Sequence, residues 1–171
     1  MALQILLKKN FKHVVTVHDS KGTTEEINPN AHIDPQSIIN GMADLNSHGV
    51  IVWNIKAGVS TLDGNTKITN IDSFGLVNKD GSWAHEPSGY DDLIDDPPVP
   101  FKTDAWVLGE YLVRLKTGKG IPRRFLKSQT LLDKFTKDDE ILRKLLVLDK
   151  EKRSNTWDVV SNKESNQCII S

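Results

Sequence analysis

The sequence predicts an α+β, mainly α-helical fold in a single domain, and three observations carry that expectation. Its 171 residues leave room for one hydrophobic core and little else. Apolar residues recur at three-to-four spacing through 35–48, and surround nearly the whole circumference of 104–117. Around these segments lie short β-branched runs broken by Asn, Asp and Gly. With 37% hydrophobic and 26% charged residues, the chain has enough apolar mass to pack a core, which excludes disorder throughout.

Residues Ile5 to Val17 pass from a helix-like ILLKK to a β-branched VVTV, a helix end followed by a strand. The polar stretch from Asp19 to Pro35, with Gly22 and Pro29, reads as a loop. Asp34-Pro35 then supplies an N-cap and a first-turn proline for an amphipathic helix on Ile38, Ile39, Met42 and Leu45, ending near Gly49. Val50–Trp53, Val59–Leu62 and Lys67–Thr69 read as short strands, the last two joined by the turn Asp63-Gly64-Asn65. From Gly75 to Thr103 no periodicity lasts, so an irregular acidic loop is expected. A helix capped by Thr103 or Asp104 follows and runs to Gly118, then helical segments at Leu131–Phe135 and Glu140–Leu148, and a short one from Thr156. Three regions are expected: 1–35, 36–160 and a polar tail, 161–171.

Acids and bases nearly cancel, 23 against 22, so net charge favours neither nucleic acid nor a membrane surface as partner. A single cysteine excludes an internal disulfide and any cysteine-based zinc finger. The five histidines show no metal-ligand spacing, and no metal is expected. The first residues lack signal-peptide character and no apolar run reaches the roughly 20 residues of a membrane span, so the expected compartment is the cytoplasm.

The order of these elements, with DSFG at 72–75, DAWVLG at 104–109 and LDKEKR at 148–153, resembles the C-terminal lobe of eukaryotic protein kinases. Residues 37–58 are similar to the helix leading into that family's catalytic loop, LDGNTKIT to its metal-loop region, and Ala84-His85-Glu86 to its A-P-E. The resemblance covers about 36–160. Upstream, 5–20 resembles the end of the family's helix C and its fourth strand, so the expected fold is a protein-kinase-like C-lobe with only a remnant of the N-lobe. No residues match the glycine-rich loop or the third-strand lysine that hold nucleotide phosphates.

The resemblance also implies a degenerate site. Phosphoryl transfer needs a carboxylate to orient the acceptor hydroxyl and oxygen ligands for magnesium. The family's H-R-D falls on Val52-Trp53-Asn54, which puts an amide where the base stands. Lys56 matches the catalytic-loop lysine. The magnesium-binding asparagine falls on Val59, and the D-F-G aspartate falls on Asn70 or Asp72 depending on whether Lys67–Thr69 or Phe74-Gly75 sets the alignment. These departures imply a catalytically inactive, pseudokinase-like module with no cofactor, acting by binding a protein partner. The alternatives are an active serine/threonine kinase using ATP and magnesium, in which Lys56 and Asp72 would be essential, and a nonfunctional remnant that aggregates through Leu3, Ile5 and Leu6.

Architectural residues of the family have matches. Asp104 is expected to hydrogen-bond the catalytic-loop backbone, Glu86 to pair with Arg153, and Phe74, Val52, Leu6 and Val17 to stack as an apolar column. Trp53, in place of the loop arginine, becomes a protein-contact residue if exposed. Two peripheral features complete the reading. Cys168-Ile-Ile-Ser has the C-a-a-X pattern of a farnesyl acceptor, implying peripheral membrane association. Arg114, Lys116, Lys119, Arg123, Arg124 and Lys127 form an acid-free run whose client is anionic lipid, an acidic partner, or the chain's own Asp91, Asp92, Asp95 and Asp96.

Overall fold

In the computed structural model, which describes residues 2–160, five helices and two small antiparallel sheets share one main core. Helix α1 (Ala2–Lys8) leads through two isolated bridges, Val14 to Ile68 and Val17 to Thr24, in place of the continuous strand expected over VVTV. One sheet is ordered β1 (Ile27–Asn28), β3 (Ala57–Ser60), β4 (Thr66–Ile68). The other is β2 (Val50–Ile51), β5 (Gly75–Val77), β6 (Trp83–His85). The remaining helices are α2 (Pro35–Ser47), α3 (Pro100–Thr117), α4 (Gln129–Phe135) and α5 (Glu140–Leu145).

Helix α2 forms as its sequence dictates. The Asp34 carboxylate accepts from the Gln36 and Ser37 amides, and Ile38, Ile39, Met42 and Leu45 face the core. Helix α3 differs from expectation at its start. It begins at Pro100, without a side-chain cap, because proline presets the first-turn dihedral and has no N–H to satisfy. Thr103 and Asp104 are therefore interior helical residues, both fully buried. Gly118 ends α3 at φ +71°, a conformation L side chains rarely adopt, and α5 ends at Leu145, short of the expected Leu148.

The segment after Gly75 is more ordered than its sequence suggested. Leu76 pairs with Val50 and with His85, which places the three-residue strands β5 and β6 beside β2. Strand β5 forms by pairing with the distant β2 and, across the turn 78–82, with β6, and at three residues each the strands are too short for local periodicity to show. Gly75 is required here, since a Cβ would sit 2.5 Å from Pro87.

A buried ion pair ties the connector to the β3–β4 hairpin. Lys67 Nζ lies 2.7 Å from Glu25 Oε1 and 3.1 Å from Asp63. Burial pushes the Glu25 carboxyl up, but the Lys67 ammonium, the Ser60 hydroxyl and the Thr16 amide outweigh it and hold the group at about 2.

Candidate functional site

The loop joining β2 to β3 carries Val52, Trp53, Asn54, Ile55 and Lys56. Val52 is anchored from below. Its amide donates to both carboxylate oxygens of Asp104, at 3.0 and 2.9 Å. Asn46 Nδ2 donates to the same carboxylate at 2.6 Å and to Val50 O at 2.9 Å, while its oxygen accepts from Thr156 Oγ1 at 2.5 Å. Every polar atom of this buried knot has a partner, so the loop is fixed relative to α2 and α3. Burial pushes the Asp104 carboxyl up to about 7 against the bonds from Val52 and Asn46.

From the side, the loop is held by Asn70. Its Oδ1 accepts from the Lys56 amide at 2.9 Å, and its Nδ2 donates to Asn54 O at 2.5 Å and Ser73 Oγ at 2.8 Å. Of the two residues matched to the D-F-G aspartate, Asn70 faces the loop, whereas Asp72 is exposed in the 3-10 turn Ile71–Ser73. Replacing Asn70 with alanine is expected to cost about 1–2 kcal/mol and to accelerate amide exchange at Lys56, because that N–H loses its acceptor. Exchange at Lys56 unchanged in the variant would show that the tie is not formed in solution.

Across the loop, Asn54 Nδ2 donates to Gly89 O at 2.6 Å, and Ser88 N to Ser73 O at 3.0 Å. Residues 87–89 therefore lie against both the loop and the 70–75 turn. Trp53 points away from solvent, 4% exposed, with its ring edge-on to Trp83 (5.2 Å) and Tyr90 (4.8 Å). The exposure on which a protein-contact role for Trp53 was conditional is not met, and the indole packs the 83–90 segment onto the loop. Lys56 is exposed, and Val59 is half-buried in β3 opposite Asn28 and Thr66, offering no side-chain oxygen. Among the described residues no three His, Cys, Asp or Glu side chains converge.

Phe74, Val52, Leu6 and Val17 are all buried in the same core. The expected partner of Arg153, however, is wrong. The Arg153 guanidinium is buried and bidentate to Asp95, at 2.7 and 3.1 Å, with further bonds to Lys102 O and Val147 O. Thr103 Oγ1 adds a third bond to Asp95 at 2.7 Å. Glu86 is exposed just past β6 and makes no ion pair among the described residues. The reason is positional: Asp95 lies in the turn that enters α3 and reaches the buried guanidinium, whereas an exposed carboxylate does not. Burial pushes the Asp95 carboxyl up, but Arg153 and Thr103 hold it below the ordinary range.

The peripheral features separate. Cys168 lies outside the described residues. Lys116 is 3.8 Å from Asp139, while Lys119, Arg123, Arg124 and Lys127 are exposed and make no ion pair among the described residues. Asp91 and Asp92 do not neutralise them, and Asp95 is committed to Arg153. Arg114 instead lines a cleft of about 500 Å³ between the Asn54 loop, residues 89–94 and the Trp106, Glu110 and Tyr111 face of α3.

No family model matches the sequence, and no curated protein matches it. Solved structures do match. One is the kinase domain described as a Toxoplasma gondii specific rhoptry antigen, which superposes with a TM-score of 0.54 at 15% identity, over 78% of this chain and 43% of that one. At that identity the likeness speaks of the fold alone. The chain thus has a protein-kinase-like fold and spans less than half the length of this neighbour. No helix among the described residues is long and apolar enough to cross a membrane.

Proposed function

We propose that the chain is a catalytically inactive protein-kinase-like module that works by binding. The observation that carries this reading is what Asn54 and Asn70 do, two amides that the resemblance matches to the family's base and to one of its metal-binding carboxylates. Both are committed to backbone groups of the loop and of Gly89. An amide donates a hydrogen to Gly89 O. A carboxylate there would be repelled by the carbonyl, so the residue type that closes the site is the one unable to accept a proton from a substrate hydroxyl. Val59 contributes no oxygen to a metal. The groups of phosphoryl transfer have become fasteners. Membrane tethering through Cys168 belongs to the same reading and is tested by mass spectrometry of the protein from cells.

Incubation of the purified chain with magnesium and labelled ATP, with and without a general acceptor protein, tests the reading. No phosphate incorporation above the protein-free blank is expected, and Asn54→Asp does not restore it, because one carboxylate cannot replace the rest of the unit. Incorporation by the wild-type chain that disappears in Lys56→Ala or Asp72→Ala would overturn the proposal.

A further inference from the structure

The cleft beside the Asn54 loop is walled by aromatic rings and rimmed by acids. Asp91, Asp92 and Glu110 line it and make no ion pair among the described residues, and Arg114 is its one cation. Trp53 and Trp106 present ring surface to it, and their indole N–H groups are buried out of its reach. Acids and ring faces together suit a segment that brings cationic side chains.

The same chain carries such a segment next door. One turn beyond Arg114 helix α3 ends, and residues 118–127, GKGIPRRFLK, continue with Lys119, Arg123, Arg124 and Lys127 exposed and without ion pairs among the described residues. Arg124 and Phe125 stack, with the guanidinium carbon 4.9 Å from the ring centre. Residues 118–127 do not line the cleft of their own chain, and Ile121, Phe125 and Leu126 hold them on its core. A two-fold axis brings both together at once, the basic segment of each protomer in the cleft of the other, as a self-complementary interface requires. The net charge of −1 puts little long-range repulsion in the way.

We propose that the chain forms a two-fold homodimer in which residues 119–127 of one copy occupy the cleft formed by Asp91, Asp92, Glu110, Trp53 and Trp106 of the other. The cleft borders Asn54 and Gly89, but the interface does not depend on whether phosphate is transferred, so sedimentation tests it separately from the nucleotide assay.

Sedimentation equilibrium of the whole chain supplies the test, with two charge reversals at exposed or half-exposed positions: Asp91→Lys with Glu110→Lys, and Arg123→Glu with Arg124→Glu. The wild-type chain is expected to dimerise at low ionic strength and to dissociate as salt screens the contacts. Each reversal alone weakens self-association at least tenfold. An equimolar mixture of the two forms a heterodimer as tight as the wild-type dimer, since every contact is again between opposite charges, and this recovery also shows that both variants are folded. A monomer at every concentration, a dimer indifferent to the reversals, or a mixture that does not recover would each overturn the proposal. So would binding of a peptide of sequence 118–127 by a chain that stays monomeric, which would assign the cleft to a basic segment of another protein.

Discussion

Replacing Arg153 with methionine is expected to lower the unfolding free energy by about 3–5 kcal/mol, because it strands the buried Asp95 carboxylate. Asp95→Ala falls in the same range, since the guanidinium then keeps only the carbonyls of Val147 and Lys102. Glu86→Gln, at an exposed position, is expected to stay within about 0.5 kcal/mol of the wild type. Urea denaturation of the three variants checks this. A costly Glu86 and a silent Asp95 would restore the assignment drawn from Ala84-His85-Glu86. The pair matters beyond stability, because Arg153 also sits over the Trp106 ring, 5.1 Å from its centre, and so fixes the wall of the cleft.

The second large effect is a pH dependence set by Asp104. Burial raises its pKa from 3.8 to about 7 in the folded chain, so between those values the native state holds a proton that the unfolded chain has released. Stability from this group therefore grows as pH falls below 7 and levels off below 3.8, a contribution of up to about 4 kcal/mol. Glu25 and Asp95, both lowered, act in the opposite sense. Their stabilisation is complete above the unfolded carboxylate range and is lost as pH falls through their folded values. Stability is thus expected to rise from pH 7.5 to about 5 and to fall under acid conditions below about 4. Thermal melts across this range check it, and Asp104→Asn is expected to abolish the upper rise while leaving the acid fall. A rise that persists in the variant would show that Asp104 is not its source.

The difference between the two carboxylates shows how much of the fold the sequence made legible. Asp104 was readable because DAWVLG is a contiguous string on one helix, and its backbone partner Val52 lies in a loop whose spacing also matched. Helix α2 was readable for the same local reason, with Asp34-Pro35 and the apolar positions that follow within a few turns of each other. Asp95 was not, because a nearby Ala-His-Glu offered a better string, while the observable that selects Asp95 is the distance to a guanidinium 58 residues away. Asn70 was legible only as one of two alternatives, since the extra residue between it and Phe74 is absorbed by a 3-10 turn that sequence spacing does not reveal. Trp53 stayed open in the sequence because aromatic residues serve interfaces and cores alike, and the edge-on contacts with Trp83 and Tyr90 decide between them.

In the function proposed above, the Asn54–Asn70 loop of a kinase-like scaffold serves to hold the fold together and takes no nucleotide. A thermal-shift titration with magnesium and ATP addresses that most directly, since any ligand that binds the native chain raises its melting temperature with concentration. No saturable shift is expected up to millimolar nucleotide, in the wild-type chain and in Asp72→Ala alike. A saturable stabilisation of the wild type that is lost in Asp72→Ala would contradict it.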